Sequence, residues 1–165
     1  MCIRDRCQSV MTSLDSVIKC AHSGAASKVG GAMPKQQIIY CSKPFGYDAS
    51  ILAGILSTAR VRNAQLDITG ALVCRPDVYL QLLEGPTGQV ENLYRKIEQD
   101  DRHVEVKLLV RSKIEDRLFP NWAMYHDPAA TWFYSPEDIA DGALARASAR
   151  DIRAIFLRVA EVVDL

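Results

Sequence analysis

The chain predicts an α+β fold in the order βαββαββ, followed by C-terminal helices. Three observations carry that expectation. Short runs rich in β-branched and apolar residues recur at Ile38–Cys41, Gly70–Cys74 and Val78–Leu83, each bounded by turn formers. Two stretches between them carry apolar residues at helical spacing. A later run, Val104–Val110, alternates apolar and charged residues, the mark of a strand with one face in water.

Taken in order, Ile38-Ile39-Tyr40-Cys41 is the first strand. Asp48 is placed as an N-cap for a helix whose apolar face is Ile51, Leu52, Ile55, Leu56 and Ala59, ending near Asn63. Gly70–Cys74 and Val78–Leu83 form a hairpin about the turn Arg75-Pro76-Asp77. Gly85-Pro86-Thr87 breaks the strand and opens a second helix, with Val90, Leu93, Tyr94 and Ile97 on one face. Val104, Val106, Leu108 and Val110 form the next strand, against Glu105, Lys107 and Arg111. Pro120 precedes a last short strand, Trp122–Tyr125. Two helices on one face of a mostly antiparallel sheet make a ferredoxin-like sandwich. In the tail, Ser135-Pro136-Glu137-Asp138 is a helix start, with a Ser N-cap, Pro at the first position and acids in the first turn. Ile152, Ile155, Phe156, Val159 and Val163 then form a stripe that must pack on something, while Arg146, Arg150, Arg153 and Arg158 lie mostly off it.

Composition narrows the function. Lys+Arg and Asp+Glu are both 20, so the formal charge is zero. A nucleic-acid wrapper or polybasic membrane binder needs excess positive charge, and neither is expected. A neutral chain has little electrostatic protection against self-association, which favours a homo-oligomer. No run reaches the ~20 apolar residues of a membrane span. The five cysteines, Cys2, Cys7, Cys20, Cys41 and Cys74, are odd in number and form no CxxC, as expected of reduced thiols in a cytoplasm. His22, His103 and His126 are scattered, so no metal site is expected.

Residues 1–33 read as an extended or disordered segment. His22–Met33 is Gly-rich and polar, a linker composition. The opening Met1–Arg6 resembles translated sequencing-adapter read-through, so part of this segment is expected to be non-native, with Met33-Pro34 near the natural start. A second reading makes Ser9–Cys20 an amphipathic helix. The expected domains are therefore 1–33, a main domain over 34–128, and a helical extension over 129–165.

Gln81 stands out, an amide inside the otherwise apolar Val78–Leu83. A buried amide left unsatisfied costs about 1–3 kcal/mol per group. Taken singly, Gln81 reads as a sheet-edge glutamine bonded to backbone, Tyr40 as core and Asn63 as a helix C-cap. Six segments in order change that reading: Ile39–Ser42, Ala59–Asn63, Asp67–Leu72, Gln81–Gly85, Asp100–His103 and Phe119–Met124. Together they closely resemble the BLUF family, sensors of blue light using FAD, over about Gln36 to Tyr125.

The resemblance implies FAD held non-covalently between the two helices and the sheet, with FMN as the alternative. It implies Tyr40 as the redox-active phenol and Gln81 as the amide between Tyr40 and the flavin N5/C4=O edge. Asn63 is implied to bond the ring's polar edge, and Ile55 to pack on the ring. Asp100, Arg102 and His103 match a motif that contacts the pyrimidine side and ribityl chain. Trp122 and Met124 match a signal-relay pair, and their spacing of two would place them on one sheet face. Ala59 stands where some members carry a serine, so that serine's hydrogen bond is absent.

A non-enzymatic photoreceptor is thus expected. The ~40 residues after Tyr125 are too few for a catalytic output domain, which leaves output to an unknown protein partner or to self-assembly. Two other classes stay open on the residues alone. One is a ferredoxin-like hydrolase of the acylphosphatase kind, though no Gly-rich loop follows the first strand. The other is an oligomerisation or ligand-binding module without photochemistry.

The linker composition before Met33 generates a test. Deleting residues 1–32 should leave the flavin absorption spectrum and light response unchanged, and loss of flavin on truncation would make that segment structural.

Overall fold

The computed structural model describes residues 33–128 and 133–163. The expectations for residues 1–32, including the helix over Ser9–Cys20, fall outside that range. The elements are β1 (Lys35–Pro44), α1 (Ala49–Gln65), β2 (Thr69–Arg75), β3 (Val78–Pro86), α2 (Thr87–Glu98), β4 (His103–Ile114), β5 (Tyr125–Asp127), α3 (Pro136–Ala140), α4 (Ala143–Arg146) and α5 (Ala149–Val163). This is the expected βαββαββ order with C-terminal helices. The five strands make one sheet in the order β4-β1-β3-β2-β5. β1 pairs antiparallel with β3 and β4, β2 pairs antiparallel with β3, and β5 runs parallel to β2.

The three inner strands are buried on both faces, and strand alternation divides their side chains between two cores. Ile38, Tyr40, Leu72, Cys74, Tyr79 and Leu83 point to the face covered by Leu52, Leu56 and Ala59 of α1 and by Val90, Leu93, Tyr94 and Ile97 of α2. The residues between them, among them Ile39, Ala71, Val73, Leu80 and Leu82, meet Leu144 of α4 and Ile152, Phe156 and Val159 of α5. The tail's apolar stripe therefore packs on the second face of the sheet. Its predicted start holds: Ser135 and Asp138 form a reciprocal capping box at α3.

Asp48 caps α1 as expected, its carboxylate accepting from the Ser50 and Ile51 amides. The helix runs past Asn63 to Gln65, because the C-cap is Leu66, whose N–H bonds back to the carbonyls of Arg62 and Asn63. Asp67 then turns the chain at φ 54°. The last strand is also displaced, spanning Tyr125–Asp127 rather than Trp122–Tyr125. Ladder pairing with β2 begins only at Ala71↔Tyr125; before it, the Trp122 carbonyl takes a single bond from Gly70 of β2, and the Ala123 and Met124 carbonyls are held by side chains of α1.

Two close approaches fix the sheet around the site. A Cβ on Gly70 would lie 2.0 Å from the Leu82 carbonyl oxygen, so only glycine lets β2 sit this close to β3. Glu84, fully buried in β3, accepts from Gln37 Nε2 at 2.8 Å and from the amides of Leu118 and Phe119 at 2.8 and 3.1 Å. That carboxylate anchors the loop leading to Trp122.

Phe156 is fully buried and meets Phe119 edge-on at 6.4 Å. Phe156→Ala should cost about 3–5 kcal/mol. In urea unfolding followed by circular dichroism, a single transition moved to lower urea is expected, because α5 shares its core with the sheet.

Candidate functional site

The centre of the site follows from strand register. Tyr40 on β1 stands opposite Gln81 on β3, and Gln81 stands opposite Leu72 on β2. Tyr40 is fully buried and Gln81 is 7% exposed. The Tyr40 hydroxyl donates to Gln81 Oε1. Gln81 Nε2 in turn points to Met124 Sδ at 3.4 Å. Gln81 is therefore not a sheet-edge residue bonded to backbone. It lies on an interior strand, and its amide bridges two side chains.

Burial first, and the nearby Tyr94 second, push the Tyr40 phenol well above its ordinary range, with Arg62 offsetting part of the rise. The hydroxyl therefore keeps its proton at neutral pH and stands as the donor to Gln81. The Tyr94 ring lies 5.5 Å from that of Tyr40, tilted by 58°. Sequence reasoning placed Tyr94 on the apolar face of α2 and missed this neighbour, because helical periodicity does not say which strand residue a helix face meets.

Asn63 is fully buried near the C-terminal end of α1. Its backbone carbonyl, not its side chain, serves the helix end, accepting from Leu66 N at 3.1 Å and Ile68 N at 2.9 Å. The side-chain Nδ2 donates to the Ala123 carbonyl at 2.8 Å. Asn63 Oδ1 is buried and has no partner among the described residues. An orphaned buried acceptor costs about 1–3 kcal/mol unless a ligand satisfies it. Ile55, on the same helix, is partly buried against the cluster that holds Tyr40. The backbone of α2 lies close on β1, β3 and β4, whereas that of α1 approaches no strand to a comparable extent. The orphaned Asn63 Oδ1 and the partly buried Ile55 are one polar acceptor and one apolar surface of the kind that a flat, mostly apolar flavin with a ring N–H would need.

His103 begins β4 beside this centre. Its Nδ1 lies 2.9 Å from Ser42 Oγ, and its ring stands edge-on to Tyr40 at 6.2 Å and to Tyr79 at 5.7 Å. Burial is the main cause that lowers its pKa, against an opposing pull from Asp100. Asp100 and Arg102 form a bidentate pair in the turn before β4, at 2.8 and 2.5 Å. The structure thus brings Tyr40, Gln81, Met124 and His103 together, with Asn63 joined to them through Ala123. Asp100 and Arg102 lie in the adjoining turn.

Trp122 and Met124 do not share a sheet face. Trp122 is 42% exposed, its ring against Tyr125 at 5.4 Å, while Met124 is 1% exposed in the core. The two-residue rule fails here because this segment precedes the strand and lacks its pleat. Among the described residues no group of His, Cys, Asp and Glu could hold a metal ion. Cys41 and Cys74 are free thiols, and no described helix is long and apolar enough to cross a membrane.

Comparison with known proteins points the same way. The BLUF family profile, "Sensors of blue-light using FAD", matches residues 36–125. The photoactivated adenylate cyclase subunit beta of Euglena longa is 43% identical over 74 residues, which is 44% of this chain and 9% of that protein. The chain thus spans about a tenth of the length of the curated relatives it matches first. Of solved structures, "BlrB - a BLUF protein, dark state structure" superposes with a TM-score of 0.65 at 26% identity, covering 79% of this chain and 99% of that one. Klebsiella pneumoniae BlrP1 with FMN and cyclic diGMP gives a TM-score of 0.57 at 27% identity, covering 73% of this chain and 33% of that one.

The pair with Arg102 comes first among the causes that lower the Asp100 carboxyl from 3.8 to about 2. A carboxyl whose pKa is depressed by folding adds stability above its unfolded pKa, and that stability is lost as pH falls through the folded value. Wild type should therefore lose stability between about pH 4 and about pH 2 relative to Asp100→Asn, with the gap between their urea midpoints narrowing across that window.

Proposed function

Because this chain belongs to the BLUF family, sensors of blue light using FAD, we propose that it detects blue light through a non-covalently held flavin and responds by rearranging the hydrogen bonds of Tyr40 and Gln81. The observation that carries this reading is the buried line from the Tyr40 hydroxyl through the Gln81 amide to Met124 Sδ. FAD is the proposed flavin, on the family's description. FMN, named with the Klebsiella protein, is the competing ligand.

Flavin, when bound, supplies the blue-absorbing chromophore and, once excited, an electron acceptor. Asn63 Oδ1 would accept the ring N–H, and Ile55 would pack on the ring. His103 would close the side next to Tyr40, and Asp100 and Arg102 would meet the more exposed, polar end. Tyr40 would give an electron to the bound flavin and its hydroxyl proton to Gln81 Oε1, while Gln81 Nε2 would pass one proton on to the flavin, so that the amide stays neutral. Freed of that bond, the Gln81 amide exchanges its donor and acceptor ends by rotation or tautomerisation. Return of the electron and proton restores a neutral Tyr40 beside a rearranged Gln81. No stable charge is left in a dry site, where an unpaired ion would be costly. Met124 follows, because Gln81 Nε2 is the group its sulfur accepts from.

Output through a protein partner or through self-assembly in the cytoplasm completes the proposal. Two features support it: Trp122 is 42% exposed beside the relay segment, and α5 packs on the opposite face of the same sheet.

The test compares wild type, Tyr40→Phe, Gln81→Leu and the double variant, loaded with FAD to matched occupancy. Tyr40→Phe removes one hydroxyl at nearly constant volume, and Gln81→Leu removes the amide at similar volume. Wild type should show a stable red-shifted absorbance after blue light. Each single variant should bind flavin and lack that state, and the double variant should be no worse than either. A normal red shift in Gln81→Leu would overturn the mechanism, and a wild type that takes up neither FAD nor FMN would overturn the function.

A further inference from the structure

Three consecutive carbonyls ahead of β5 are each held from a different place. The Trp122 carbonyl accepts from Gly70 N at 2.9 Å, the Ala123 carbonyl from Asn63 Nδ2 at 2.8 Å, and the Met124 carbonyl from Arg60 Nε at 3.2 Å. β5 itself has only three residues, so little ladder secures this segment. Two of the three donors are side chains of α1. Arg60 and Asn63 are three residues apart, so they lie on one helix face about a turn from each other.

We propose that Arg60 is a positioning residue: its guanidinium latches the Met124 carbonyl to α1 and so holds the Met124 sulfur against Gln81 Nε2 in the dark arrangement. The inference rests on the light-driven exchange at Gln81 proposed above. Met124 is 1% exposed within the core cluster. A side chain packed that tightly changes place more readily when its backbone yields some room. The backbone atom that would move is the carbonyl held by Arg60. A bond to a charged guanidinium is stronger than one between neutral groups. While it is made, the segment is biased toward the dark position. Arg60 itself is exposed and sits outside the Tyr40–Gln81 pair, so it sets the relay without taking part in the photochemistry.

The test uses the full chain loaded with FAD, as wild type, Arg60→Ala, Arg60→Lys, Met124→Leu and the double variant Arg60→Ala/Met124→Leu. Lysine keeps the charge but places a methylene where the Nε–H stood, so it separates the hydrogen bond from the charge. The dark spectrum and the size of the red shift should match wild type in both Arg60 variants. Recovery in darkness should be about fivefold slower in both, equivalent to about 1 kcal/mol less bias toward the dark arrangement. Arg60→Ala should add nothing in the Met124→Leu background, because the latch acts through that side chain. Independently of the photocycle, amide hydrogen exchange over residues 121–127 should quicken in both Arg60 variants in the dark, with β1 and β3 unchanged.

Recovery less than threefold slower than wild type, or faster, overturns the latch. So does an additive effect in the double variant. If Arg60→Ala fails to hold flavin, the lysine variant and the exchange measurement still decide. A wild type without a red-shifted state overturns the sensor reading and the latch with it, whereas a normal wild type with unaffected Arg60 variants overturns the latch alone.

Discussion

The hydrogen bond between the Tyr40 hydroxyl and Gln81 Oε1 is the interaction on which the rest of the site depends. It exists because β1 and β3 pair in a register that sets Tyr40 opposite Gln81, with both side chains on the face beneath the two crossover helices. A slip of one residue would send both to the other face of the sheet. Burial then does two things. It pushes the phenol further from ionisation, and the amide's partners there are side chains, so a change in one bond is felt by the other. The second partner is Met124, a soft and adaptable side chain well suited to respond to a small rotation.

The surrounding elements convert that local pair into a site with an exit. α1 contributes the buried Asn63, whose amide is tied at one end to the Ala123 carbonyl and has an orphaned acceptor at the other. The 122–124 segment therefore hangs from the helix that is also proposed to hold the flavin. β3 carries the second connection. Gln81 faces the α1/α2 core, while its neighbours Leu80 and Leu82 face the core shared with α5. A shift in the strand at Gln81 is felt on both sides, because consecutive residues of a buried strand serve opposite faces. Glu84, three residues along, fastens the 118–119 backbone that leads to Trp122.

Much of this was legible in the sequence, for a physical reason. Strand alternation, helical periodicity, turn residues and capping are local properties, and the Asp48 cap, the hairpin about Arg75–Asp77 and the Ser135 capping box all formed where local chemistry placed them. Six ordered segments sufficed to indicate the family and hence the pairing of Tyr40 with Gln81. Tertiary structure alone decided which partners the polar groups took. Asn63 read as a helix cap taken singly and as a flavin contact on the resemblance, and neither reading placed the Ala123 carbonyl within 2.8 Å of its amide. Trp122 and Met124 looked like strand neighbours until the hydrogen bonds of residues 122–124 went to α1 and Gly70 instead of a ladder, leaving one ring exposed and one thioether buried. The Tyr94 ring beside Tyr40 and the Arg60 hold on Met124 join residues 54 and 64 positions apart. Contacts of that range depend on how helices settle on a sheet, which no local pattern encodes.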